Sequence, residues 1–173
     1  ESDNIPNPLA LNLYTLGYDS NKKLTTLNTA TKTNLATYLE QYRMLTDAIN
    51  IKNAFIINFS LDFEITAFKS YNNNEVILEC ITELKDHFNI DNWQVNQPII
   101  ISEVENLIAG VRGVQTVEKV ELKNKNGASL GYSQYKYDFM GATKRGVIYP
   151  SLDPSIFELK YPNSDINGRV IIY

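Results

Sequence analysis

The longest regular pattern in the chain is a run in which apolar residues alternate with mostly polar ones. Within residues 53–65, every second position is apolar: Phe55, Ile57, Phe59, Leu61, Phe63 and Ile65. Successive side chains of a β-strand point to opposite faces, so a period of two over this length predicts a strand with one buried and one solvent-exposed face. The strand therefore needs a layer that covers its apolar face.

Helical patterns flank this strand on both sides. Residues 24–44 predict an amphipathic helix with Asn28 or Thr29 as the N-cap, because the apolar positions recur at three- and four-residue steps. These positions are Leu27, Ala30, Leu35, Leu39 and Tyr42. Asn74 is a candidate N-cap for a second helix that runs towards Phe88 with helical apolar spacing. We expect this second helix to pack on the phenylalanine face of the strand.

A third helix and a second strand follow. Ser102 and Glu105 have the spacing of a capping box after the apolar run 99–101, and Gly110 ends the predicted helix. Residues 114–123 predict a strand beside the first. The turn signal Asn126-Gly127 then favours a hairpin that returns through residues 130–139.

The C-terminal segment combines prolines with apolar residues. Pro150, Pro154 and Pro162 cannot donate backbone hydrogen bonds, so the segment is more typical of edge strands and extended arms than of a central sheet. The patterns together predict an α+β fold. We expect a mainly antiparallel sheet with two or three helices packed on one face, plus a C-terminal β-rich extended arm.

Composition limits the classes of partner. The net charge of the 173 residues is -4 and the basic residues are scattered, so no nucleic-acid partner is predicted. No apolar run approaches the ~20 residues of a membrane-spanning helix, so no membrane partner is predicted either. The 11 tyrosines are a hint of protein-contacting surfaces, although strands also favour tyrosine.

The side chains that could support catalysis all have a simpler structural interpretation. His87 is the only histidine and lies near a helix end, and Cys80 lies on an apolar helix face, where a free thiol usually behaves as a small hydrophobe. Asp62 and Glu64 share one face of the first strand at about 7 Å spacing, which strand alternation explains without acid–base chemistry. No catalytic residue is predicted, and we expect the protein not to be an enzyme.

A glycine-rich loop at residues 141–146 has the glycine spacing of a phosphate-binding loop. Val147 and Ile148 stand where that motif requires Lys and Ser or Thr, so the motif fails and the segment is interpreted as a mobile or docking loop. No cofactor, metal or small-molecule substrate is predicted.

Three segments resemble contractile-tail proteins of bacteriophages. Residues 34–49 followed by the 55–65 strand, and residues 98–115, resemble the C-terminal half of baseplate J-like proteins. Residues 146–158, with the run Tyr-Pro-Ser-Leu-Asp-Pro at 149–154, are similar to the large wedge-ring proteins of T-even-like phages. The resemblance covers nearly the whole chain.

The resemblance implies a structural component of a phage tail baseplate wedge, located in the virion and assembled in the host cytoplasm. Its implied partners are copies of itself, as a homodimer or ring, and other wedge proteins around the tail tube. No active site is implied. The chain would divide into a linker or arm from a longer upstream chain (1–25), a J-like α+β domain (26–125) and a C-terminal β extension and docking arm (126–173).

The docking surface is expected on residues 146–161, outside the core of the domain, because this segment is too apolar to be a freely solvated tail. Its interface residues would be Ile148, Tyr149, Leu152, Ile156, Phe157 and Leu159. The alternative function is a receptor- or carbohydrate-binding tail module, in which exposed aromatic side chains such as Trp93 and the tyrosines would serve as stacking platforms.

Overall fold

The computed structural model describes residues 10–42 and 48–172. They form two compact units, one ending at Ala54 and the other beginning at Phe55. This division falls inside the segment 26–125 that the sequence predicts to be a single domain.

The N-terminal unit is a small β-α-β arrangement. Strands β1 (Ala10–Thr15) and β4 (Ala48–Asn53) pair in parallel, and β2 (Gly17–Tyr18) pairs antiparallel with β3 (Leu24–Thr25). Helix α1 (Thr29–Glu40) begins where the Asn28 side chain accepts a 2.7 Å hydrogen bond from the Thr31 N–H. A helix in this region and its Asn28 cap are confirmed. The predicted start is wrong, because Leu24 belongs to β3, and the expected apolar face is not covered, because no residue of α1 is buried. Met44 lies outside the described residues.

The C-terminal unit is built around β5 (Phe55–Ala67). The strand β7 (Val114–Asn124) pairs with β5 antiparallel, whereas β10 (Ser155–Glu158) and β11 (Ile166–Val170) pair with its first and second halves in parallel. The α+β class is confirmed. The sheet is mixed and not mainly antiparallel, because the C-terminal segment runs twice in the direction of β5.

Two predicted helices cover this sheet. Helix α2 (Asn73–His87) begins after Asn72, whose side chain caps it in place of Asn74, and its following residue Phe88 contacts Phe59 with ring centroids 5.1 Å apart. The expected packing on the phenylalanine face is therefore confirmed. Helix α3 (Ile101–Ala109) ends at Gly110 as expected. Its capping box is wrong, since Ser102 lies within the helix and no side chain caps it.

The hairpin expected after β7 is also wrong. Gly127 has a φ of 125°, and a short 3-10 turn (Ala128–Leu130) is followed by a loop without strand pairing that leads to the short helix α4 (Phe139–Ala142). A separate antiparallel sheet contains β6 (Ile99–Ile100), β8 (Thr143–Lys144) and β9 (Val147–Ile148), with β9 in the middle. A last short helix, α5 (Pro162–Asp165), separates β10 from β11.

Candidate assembly surface

The segment proposed for docking begins with a tight hairpin. Strands β8 and β9 are joined by Arg145 and Gly146, whose φ angles are 53° and 77°. Two consecutive positive φ angles match the twist of a two-residue hairpin turn. Gly146 also accepts a 2.9 Å hydrogen bond from the Ile101 N–H at the start of α3. The loop at 141–146 is thus the end of a helix followed by a hairpin, which corrects its interpretation as a mobile loop.

Four of the six predicted interface residues are buried within the unit itself: Ile148, Ile156, Phe157 and Leu159. Phe157 is only 2% exposed, and its ring lies 5.7 Å from that of Phe139 and 5.8 Å from that of Tyr137. The expectation that this segment lies outside the domain's own core is wrong for these four residues.

The physical reason lies in where the prolines fall. Pro150 and Pro154 are in the turn before β10, so the residues of β10 keep their backbone donors and pair with β5. In the resulting register Ile156 is opposite Ile56 and Phe157 is opposite Ile57. The prolines therefore delimit the strand instead of excluding it from the sheet.

The other two predicted residues are exposed. Leu152 is 106% exposed, as much as in an extended peptide, and Tyr149 is half exposed. Tyr149 donates a backbone hydrogen bond of 3.2 Å to Ala142, at the end of the helix that carries Met140, which is also exposed. We call residues 149–154 the Leu152 turn.

Hydrogen bonds hold the Leu152 turn at both ends. The Ser151 N–H donates to the Ser155 hydroxyl at 3.1 Å, and Ser155 exchanges backbone and side-chain bonds with Asn96 at 2.7 and 3.0 Å. Pro154 accepts from the Phe55 N–H at 2.9 Å. The Tyr149 carbonyl accepts from the Tyr137 hydroxyl. The exposed apolar side chains are thus carried by an ordered backbone.

The strand β10, which follows this turn, contributes to a buried polar cluster that sequence patterns do not reveal. The Asn58 side chain donates to the Glu158 carboxylate at 2.8 Å and accepts from the Ser133 N–H at 2.7 Å. The Asn124 side chain donates to the Asn58 carbonyl at 3.0 Å. Asn58 and Glu158 are buried and face each other in the register of β5 and β10. The only sequence signal is a polar residue in the alternating strand, which also describes an exposed position.

The carboxylates of β5 are engaged in ion pairs. Lys123 contacts Asp62 at 2.7 Å, and Arg169 contacts Glu64 at 2.5 Å. Burial would raise the pKa of Asp62, but hydrogen bonds from Lys123 and Asn167 outweigh it and lower that pKa. A general acid needs a raised pKa, so the environment of Asp62 favours an ionised structural carboxylate.

The remaining candidates are packed. Cys80 is fully buried, and burial raises the pKa of its thiol to about 11. His87 is the last residue of α2 and its ring lies 5.8 Å from that of Trp93, which also contacts Phe88 at 5.3 Å. Trp93 is buried, so its expected role as an exposed stacking platform is wrong.

Comparisons with known proteins give no family: no family model and no curated protein matches the chain. Within residues 10–42 and 48–172, no group of three or more His, Cys, Asp or Glu side chains is arranged to hold a metal ion. No helix in the same part of the chain is long and apolar enough to cross a membrane.

Proposed function

We propose that this protein is a structural component of a phage tail baseplate wedge, which associates with itself and with other wedge proteins. The observation that carries the proposal is the Leu152 turn. Its sequence is the part of the chain that resembles wedge-ring proteins most specifically, and its apolar residues Tyr149 and Leu152 are exposed on an ordered backbone.

A preorganised apolar turn suits assembly for a thermodynamic reason. Single exposed apolar residues are common on protein surfaces and need no explanation. Here Leu152 and Tyr149 lie on a turn fixed by hydrogen bonds at Ser151 and Ser155, so binding a neighbour costs less conformational entropy than ordering a free loop. Apolar anchors of this kind contribute most when they fill a pocket at the centre of an interface.

The environments of Asp62 and Cys80 support a catalytic role less well than the Leu152 turn supports assembly. The Asp62 carboxylate is ion-paired and its pKa is lowered, and the burial that raises the pKa of Cys80 disfavours the reactive thiolate. The buried position of Trp93 removes one of the aromatic side chains on which the carbohydrate-binding alternative relied. We therefore propose the assembly role and a location in the virion tail.

Immunogold electron microscopy tests this function directly. An antibody against this protein is applied to tail particles purified from the lysate of the producing cells. Gold at the baseplate end of contractile tails is the expected result. Gold on the sheath, on fibres or on no particle would contradict the proposal.

A second test concerns the Leu152 turn. Leu152→Ser should prevent incorporation into baseplates, whereas Leu78→Ser, which changes an equally apolar and 62% exposed residue on α2, should not. Equal incorporation of both variants and the wild type would show that the turn is not an assembly contact.

A further inference from the structure

The parallel sheet of the N-terminal unit has one edge, along β1, that no other strand of residues 10–42 and 48–172 pairs with. Among the described strands, β1 pairs only with β4. The Thr15 carbonyl accepts a 3.2 Å hydrogen bond from the Ala54 N–H, so Thr15 directs its backbone polar groups towards β4. Because consecutive residues of a strand direct these groups to opposite sides, the N–H and C=O groups of Asn12 and Tyr14 point away from β4.

This edge lacks the features that usually protect a sheet edge. Proteins prevent edge-to-edge pairing with charged residues, prolines or bulges. Strand β1, Ala-Leu-Asn-Leu-Tyr-Thr, contains no charged residue and no proline. It pairs with β4 in an unbroken register, so it has no bulge either. Leu11 is 62% exposed. The neighbouring strand β4 carries Lys52, so the two edges differ in charge.

The unit also buries little of its apolar surface. No residue of α1 is buried, and none of the residues 11–15 and 48–53 along the two strands is buried either. Isolated two-stranded sheets are marginal in water, and independent stability generally needs three or more strands with an apolar face. An added strand would therefore supply both backbone partners and apolar cover.

We propose that β1 pairs antiparallel with β1 of a second copy of this chain, forming a four-stranded sheet in the order β4-β1-β1-β4. This inference rests on the self-association in the proposed function and names the surface that carries it. A two-fold axis through Asn12 places Asn12 opposite Asn12 of the second copy and Tyr14 opposite Ala10. These are the residues whose backbone groups point outward.

The side chains of β1 are self-complementary in this register. Leu11 of one copy lies opposite Leu13 of the other, which extends the apolar strip that Ile49 and Ile51 form beside them in β4. On the other face Asn12 meets Asn12, whose amides both donate and accept hydrogen bonds. The match between β1 and its own two-fold image favours a second copy over an unrelated partner strand.

The test compares lysine substitutions at Asn12 in β1 and at Asn50, its partner in β4. Both Asn12→Lys and Asn50→Lys remove the 3.4 Å hydrogen bond between these side chains, but only Asn12→Lys places like charges opposite each other across the two-fold axis. Sedimentation equilibrium of the full chain at low salt measures dimerisation. Asn12→Lys should raise the dimer dissociation constant about tenfold or more, and Asn50→Lys should leave it nearly unchanged.

A mixing experiment provides the positive control. Asn12→Lys combined with Asn12→Glu should form a mixed dimer of about wild-type affinity at low salt, because the charges opposite each other then attract. Equal dimerisation of the two lysine variants, failure of the mixture to associate, or a monomeric wild type would each overturn the β1 pairing. Immunogold labelling of baseplates is independent of these outcomes, so a failure of the proposed function would be recognised separately.

Discussion

Truncation of Phe157 distinguishes a core residue from an assembly residue in the same segment. Phe157 is 2% exposed, and its ring has edge-on contacts with Phe59 at 6.4 Å and Tyr137 at 5.8 Å. Phe157→Ala removes these contacts and leaves a cavity, and such substitutions cost about 3–5 kcal/mol. Domains are stable by only about 5–15 kcal/mol, so the loss is a large fraction of the total.

The matched substitution is Leu152→Ala, five residues earlier, which removes a side chain that contacts only solvent. We expect Phe157→Ala to lower the melting temperature of the C-terminal unit by about 10–20 °C and Leu152→Ala to change it by less than about 2 °C. Circular dichroism melting and urea unfolding of both variants, at a concentration at which the chain is monomeric, measure the difference.

The reverse pattern would refute the reasoning. If Phe157→Ala melted like the wild type, the parallel pairing of β10 with β5 would not hold the core together. If Leu152→Ala alone were destabilising, the Leu152 turn would pack on the unit and not be available to a neighbour. Unchanged m-values in urea would confirm that both variants unfold to comparable states.

Three further predictions follow from individual environments. Ser60 is 3% exposed, so the loss of hydration of the carboxylate in Ser60→Asp should outweigh its attraction to Lys123, which lies opposite in β7, and destabilise the fold by several kcal/mol in urea unfolding; a mild effect would contradict its burial. Asp62 has a lowered pKa, so its ion pair with Lys123 stabilises above the unfolded pKa of about 3.9 and is lost as pH falls through the lower folded value. Asp62→Asn should therefore cost less than about 1 kcal/mol at neutral pH and nothing in strong acid. Cys80, with a pKa of about 11, should not react with a thiol reagent at pH 8 until urea unfolds the chain; rapid native labelling would show that it is accessible.

The spacing of apolar residues predicted the helices and strands that are long enough for the pattern to repeat. The strand β5 and the helix α2 are predicted by apolar spacing, because that spacing records which side of an element is buried. Helix α3 is also present, but it was predicted from a capping box that the structure does not contain. Helix starts were predicted less accurately. The cap of α2 is Asn72 and not Asn74, since several neighbouring asparagines can serve and backbone geometry selects one.

Tertiary structure decided which residues share the core with those elements. Alternation assigned Asn58 and Ser60 to a solvent-exposed face, yet both are buried, because strands and loops from distant parts of the chain cover that face. The clearest case is β10, which lies 100 residues from its partner in β5 at the Asn58–Glu158 contact. The prolines of the C-terminal segment indicated an arm outside the core, but Pro150 and Pro154 only mark the turn before β10. Burial depends on the partner that a strand finds, and a local pattern contains no information about that partner.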